Sequence, residues 1–156
     1  MIQTTWEIPR KILDETSSIL SSKNAEVFVL WTSLLGESKN TCKISRCIFP
    51  KQEAGFDLGA YVHIDGSELS RIAFDNYDKG ERNVVQIHTH PSKNVEMSLL
   101  DRQWEVVNHI GALSVIVPNY NKQKLMGFPG VNVYEREIRD WRLWTRNEIE
   151  KRLIIV

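Results

Sequence analysis

The sequence predicts an α+β sandwich, a mixed sheet with about three helices packed against it. Three observations carry this. The run EVFVLWTSLL (26–35) is apolar on both faces and rich in β-formers, as a central strand covered on both sides must be. Ile12, Leu13, Thr16, Ile19 and Leu20 follow helical spacing. At 156 residues the chain suits one domain, 1–156, long enough to bury a core without staples.

The elements follow in order. Residues 1–8 suit a short strand, and Pro9 suits the first turn of a helix that runs to about Ser22. The strand at 26–35 is bounded by Asn24 and Gly36. CKISRCIF (42–49) alternates and ends at Pro50, so a turn over Gly36–Asn40 makes a hairpin of the two. After a loop, AYVHI is a short strand that stops at the turn signal Asp65-Gly66. Leu69, Ile72, Ala73, Asn76 and Tyr77 predict a second helix ending near Gly80. NVVQIHTH (83–90) is a strand, and a third helix is expected from Leu99 to His109, stopping at Gly111. ALSVIVP (112–118) is another strand, followed by a polar loop over 119–130. VNVYEREI and DWRLW complete the strands, and Thr145 with Glu148 has capping-box spacing for a terminal helix.

Composition narrows the function classes. Lys+Arg and Asp+Glu both number 20, so the formal net charge is zero, against the basic excess of a general nucleic-acid binder. Apolar residues make up 42% and charged residues 26%, ordinary for a soluble domain. Cys42 and Cys47, the two cysteines, are five apart on one expected strand, so they should face opposite ways. A disulfide between them would be strained, and a metal site would lack its second Cys/His pair, so both read as reduced and structural. MIQTTWEIPRKILDE has no apolar signal core and no apolar run is long enough for a membrane span, so the expected location is cytoplasmic, away from membranes.

The chemistry concentrates in QIHTHPSKNVEMSLLDRQW (86–104). Period-2 geometry puts His88 and His90 on one strand face, where both imidazoles could hold one ion. Asp101, at the start of the next helix, could add a carboxylate and leave a fourth position open. Ser98-x-x-Asp101 also has the spacing of a helix cap with an acid in the first turn. Spacing alone leaves both readings open, and they are compatible. Other His-x-His families fit poorly. A metallo-β-lactamase needs Asp-His next, where Pro91, Ser92 and Lys93 stand. A cupin needs an earlier Glu than Glu96, an amidohydrolase needs a far longer barrel, and a histidine-triad hydrolase needs histidine where Ser92 stands.

His88-Thr89-His90, seven residues, Ser98, two residues and Asp101, with Pro91 directly after the second histidine, resemble the signature of the JAB/MPN metalloenzymes, the JAMM motif. The order of elements extends the resemblance over nearly the whole chain, toward the stand-alone prokaryotic members. It implies a curved, cytidine-deaminase-like sheet. It implies one Zn²⁺ per chain on His88, His90 and Asp101, with Glu26, at the head of the first apolar strand, as general base and Ser98 as oxyanion donor. Here Val27, Phe28 and Val29 follow the glutamate where many members have Gly-x-Leu. Glu37 and Glu81 fit the family order less well. Thr89 alternates to the other strand face and reads as structural.

The resemblance further implies an isopeptidase or peptidase that cleaves after the C-terminal tail of ubiquitin or a ubiquitin-like modifier, in a conjugation or antiviral defence pathway. A catalytically silent scaffold that binds partner proteins, and a peptidase acting on sulfur-carrier conjugates, are the alternatives. Leu125, Met126 and Phe128 in the 119–130 loop are expected to be exposed, as a substrate or partner contact. His63, His109, Trp104, Trp141 and Trp144 are expected to lie outside the chemistry.

Overall fold

A computed structural model describes residues 3–36, 40–54, 62–103 and 105–156. Its central sheet has six strands: β2 (Phe28–Leu34), β4 (Arg46–Ile48), β7 (Glu81–Thr89), β8 (Leu113–Val117), β9 (Asn132–Arg136) and β10 (Trp141–Leu143). They lie in the order β10-β9-β8-β7-β2-β4. β7 and β8 run parallel and the other neighbours antiparallel, so the sheet is mixed. A smaller sheet joins β1 (Thr5–Ile8), β3 (Thr41–Lys43) and β11 (Leu153–Ile155), and β5 (Glu53–Ala54) pairs with β6 (Val62–His63). Four helices are described: α1 (Arg10–Leu20), α2 (Gly66–Lys79), α3 (Leu99–Gln103) and α4 (Arg146–Arg152).

Both faces of β2 are covered, which explains its unbroken apolar run. Val29 and Trp31 share a core with Leu13 and Leu20 of α1, whereas Phe28 and Leu30 pack with Ile72 of α2. The Trp31 indole N–H also donates to the buried Thr16 hydroxyl at 2.8 Å, tying the sheet to α1. α2 stops at Gly80, whose φ of 67° is left-handed and costs glycine nothing. Thr145 and Glu148 form the expected capping box at the start of α4.

Five local expectations are corrected. The 42–49 segment is two strands. Ile44 donates to Glu7 O and Ser45 to Thr32 O, so the chain crosses from β1 to β2 at this point. The crossing is held by Glu81, which accepts from Ser45 Oγ at 2.5 Å, Thr32 Oγ1 at 3.0 Å and Arg46 Nε at 2.9 Å. Cys42 and Cys47 are not joined in a disulfide, and both pack against the same core instead of facing apart. The third helix ends at Gln103, not His109, because Gln86 Oε1 accepts the Val106 and Val107 N–H groups, each at 3.0 Å. The chain end adds β11, parallel to β1.

The fifth correction concerns the 119–130 loop. Leu125 and Phe128 are buried in the main core, and of the three residues expected outside only Met126 is exposed. The loop turns in through Asn119, Tyr120 and Asn121, all with positive φ, and Asn121 Nδ2 donates to Ser17 O at 2.9 Å. Polar composition concealed an inward fold that α1 holds in place.

Two predictions follow from the packing. Leu125→Ala should cost about 2–5 kcal/mol in a urea titration; a loss under ~0.5 kcal/mol would return this side chain to the surface. The carboxyls of Glu68 and Glu148 are held down at about 2, chiefly by hydrogen bonds from Arg71 and Arg142 respectively. Carboxyls depressed in the folded state stabilise it fully above their unfolded value of 4.5 and lose that contribution as pH falls toward about 2. The urea midpoint should therefore drop between these limits, and drop less steeply in the double variant Glu68→Gln, Glu148→Gln. Equal slopes would place the acid sensitivity elsewhere.

Candidate metal centre

Three elements meet at the C-terminal end of β7. His88 lies in β7 and His90 one residue beyond it, and alternation turns both to the face that also carries Phe28. β2 pairs antiparallel with β7, Phe28 opposite His88, and Thr89 N–H donates to Val27 O at 3.1 Å. Continuing that register by two residues places Glu26 beside His90. The ligand atoms of Glu26, His88 and His90 lie within 4.8 Å of one another.

The third element is the start of α3. Asp101 N–H donates to Ser98 Oγ at 3.0 Å, and Ser98 N–H returns a bond to Asp101 Oδ2 at 2.8 Å. This reciprocal cap fixes the carboxylate against the imidazoles. Asp101 Oδ1 is 3.1 Å from His88 Nε2, Oδ2 is 3.2 Å from His90 Nε2, and the two Nε2 atoms are 3.1 Å apart. Two imidazole nitrogens, and a carboxylate whose two oxygens each touch one of them, are grouped closely enough to share one small divalent ion. The remaining His90 nitrogen, Nδ1, lies 2.9 Å from the Asn94 carbonyl, the outer contact that fixes which ring nitrogen faces a metal.

The two carboxylates differ in environment. Burial pushes Glu26 up to about 8, with His90 opposing and Asp101 adding to the shift. Burial would also raise Asp101, but hydrogen bonds with His88 and His90 outweigh it and hold the group well below the usual carboxylate range. For His90, burial lowers the value, and the Asp101 hydrogen bond and the Asn94 carbonyl overcome it, leaving a net rise. One carboxyl is thus committed to the histidine pair, and the other is a desolvated group beside it. Carboxyls with environments that differ in this way suit different chemical roles.

All five residues line one cleft of about 410 Å³, with Phe28, Val62, Met97 and Leu100 as its apolar walls. The floor was less legible in the sequence. Gln86, also on the histidine face, is buried and bonds Ser114 Oγ at 3.2 Å; its place two before His88 was the available signal. Tyr134 Oη accepts from Met97 N–H at 3.1 Å, and Asn132 Nδ2 donates to Val95 O at 3.1 Å, so β9 pins the segment leading to Ser98. No local pattern marks that pair.

The remaining candidates lie outside the cluster. His63 is exposed and pairs with Asp65 at 2.9 Å. His109 is held low, first by burial and then by Arg82, and lies beyond Val107 on the way to β8. Trp141 and Trp144 are buried, their indoles donating to Glu105 at 2.7 Å and Glu135 at 3.0 Å. Trp104 and Glu37 lie outside the described residues. Glu81 belongs to the polar cluster with Thr32, Ser45 and Arg46, not to this cleft.

Comparisons with known proteins point the same way. No family model matches the chain. A protein of Sinorhizobium fredii named a probable metalloprotease is 27% identical over 123 residues, 76% of this chain and 74% of its own length. The solution structure of a Desulfitobacterium hafniense protein superposes with a TM-score of 0.69 at 12% identity, covering 97% of this chain and 92% of that one. The crystal structure of a JAB1/MPN domain protein from Archaeoglobus fulgidus gives 0.51 at 16% identity, covering 97% and 98%.

The cluster makes a direct prediction. The purified protein should bind about one equivalent of a divalent transition metal by elemental analysis, and His88→Ala should lose it while keeping its fold. Equal metal content in the two proteins would remove His88 from the site.

Proposed function

We propose that this chain, which has the JAB1/MPN fold and resembles the JAB/MPN metalloproteases, is a zinc-dependent peptidase or isopeptidase. The observation that carries the reading is the Asp101 carboxylate in contact with both His88 and His90, with Glu26 beside them in one open cleft. Ligand atoms on a tetrahedral zinc ion with bonds of about 2.0–2.1 Å lie roughly 3.3 Å apart. The 3.1–3.2 Å contacts, between the two Nε2 atoms and from each to one Asp101 oxygen, bring the same donor types to that spacing. The metalloprotease name of the Sinorhizobium relative supports the same class.

When bound to His88, His90 and Asp101, zinc would supply a water acidified to near neutrality and a positive charge at the scissile carbonyl. The rest falls to this chain's own side chains. Glu26 takes the proton from the attacking water and delivers it to the departing amine nitrogen. Ser98 Oγ already accepts from the Asp101 N–H, so its own proton is available to the carbonyl oxygen as negative charge develops. Phe28, Val62 and Leu100 line the cleft and limit the water that reaches the reacting bond.

The proposed substrate is the extended C-terminal tail of a ubiquitin-like modifier joined to an amine. Val62, in the cleft wall, belongs to β6, whose second edge has no ladder partner among the described residues. Such an edge offers main-chain bonds to an extended tail. A sulfur-carrier conjugate presents the same chemistry. A silent scaffold is the weaker reading, because every ligand and base position holds a competent residue. No described helix is long and apolar enough to cross a membrane.

Glu26→Gln tests the assignment. It should keep its zinc and lose about 10²–10⁴-fold in cleavage of a modifier fusion, read as kcat. Undiminished turnover would move the base to another residue.

A further inference from the structure

We propose that Thr89, the residue between the two histidines, is the positioning residue for Glu26. The inference rests on the reading of Glu26 as the base. Thr89 is fully buried, on the face of β7 opposite His88 and His90. Its hydroxyl accepts the Val27 N–H at 3.0 Å and lies 3.5 Å from the Ala25 carbonyl, to which it donates. These two bonds grip the residues on either side of Glu26.

Glu26 needs such a hold because it stands outside the ladder. β2 begins at Phe28, two residues later. Val27 and Thr89 face each other as a hydrogen-bonded pair, with Thr89 N–H donating to Val27 O at 3.1 Å. A regular antiparallel pair would return the Val27 N–H to the Thr89 carbonyl. Here the side chain intercepts that N–H, and the ladder ends in a side-chain clamp. On the other edge of β2, Gln52 holds Phe28 by bonds at 2.8 Å to its N–H and its carbonyl. The strand entrance is thus fixed from both edges, and Thr89 is the contact that brackets Glu26 itself. A base works only within hydrogen-bond reach of the proton it takes, and a displacement of about 1 Å can cost ~10²-fold.

Thr89→Val removes the hydroxyl at nearly constant volume, and Thr89→Ser keeps it. The zinc-loaded variants are compared for metal content, kcat and KM on a modifier fusion, and exchange of the Val27 amide. Thr89→Val should hold zinc and KM within about 2-fold, lose roughly 10–100-fold in kcat, and speed Val27 exchange, whereas Thr89→Ser should stay near wild type. In a Glu26→Gln background, Thr89→Val should remove nothing further, because the group it positions is gone. Wild-type kcat in Thr89→Val overturns the proposal. So does zinc lost in step with activity, or an additive fall in the Glu26→Gln background. If Thr89→Val does not fold, Thr89→Ala carries the test, and failure of both while Thr89→Ser folds assigns the hydroxyl to the fold instead. A fully active Glu26→Gln sinks the base assignment, and Val27 exchange then still reports whether Thr89 holds this segment.

Discussion

The antiparallel pairing of β2 with β7 is the constraint on which the rest depends. Its register, Phe28 opposite His88, decides which side chains enter the cleft and which enter the core. A slip of one residue would turn Thr89 into the cleft and bury both histidines. The register is pinned along its length. Val29 and Trp31 fit the core under α1 while Phe28 and Leu30 fit the core under α2. A bulge between Trp31 and Thr32 absorbs one extra residue of β7. Beyond it, Glu81 gathers Thr32, Ser45 and Arg46 at the end of the strand pair away from the metal centre.

The centre then draws on short-range devices that each serve two purposes. Ser98 and Asp101 cap α3, and the same pair of bonds holds the carboxylate on the imidazoles. A helix of five residues has little stability of its own, so the cap and the surrounding contacts must hold it. Those contacts come from a distance: Tyr134 and Asn132 fix the approach to Ser98, and Gln86 takes the amides that would have extended the helix. The segment after His90 is also tied down, with Tyr120 N–H donating to His90 O at 3.0 Å. That bond comes from a turn of three left-handed residues, a conformation costing on the order of 1 kcal/mol for each non-glycine residue, which the contacts of Asn121 with α1 offset.

Much of this was readable in one dimension where a period or a fixed spacing carried it. Two-sided apolarity marked β2, alternation put His88 and His90 on one face, and Ser98-x-x-Asp101 marked a helix start. The errors arose where a side chain distant in sequence overruled local preference. Val106 and Val107 look helical until Gln86 claims their amides, and Ile44-Ser45 looks like mid-strand until Glu81 claims Ser45 and Arg46. Leu125 and Phe128 sit in a polar, Gly/Pro-marked stretch, so nothing local announces that α1 and the sheet leave room for them.

By itself, then, the sequence determined the fold class, the pair of histidines and the helix start that faces them, because periods of 2 and 3.6 and a three-residue cap spacing are properties of the local backbone. Only the tertiary structure decided that Glu26, sixty-two residues before His88, lies beside that pair, because strand register is set by burial on both faces of the sheet. It alone also gave Thr89 a partner. The hydroxyl that reads as a plain strand residue meets the Val27 N–H only once the two strands have met.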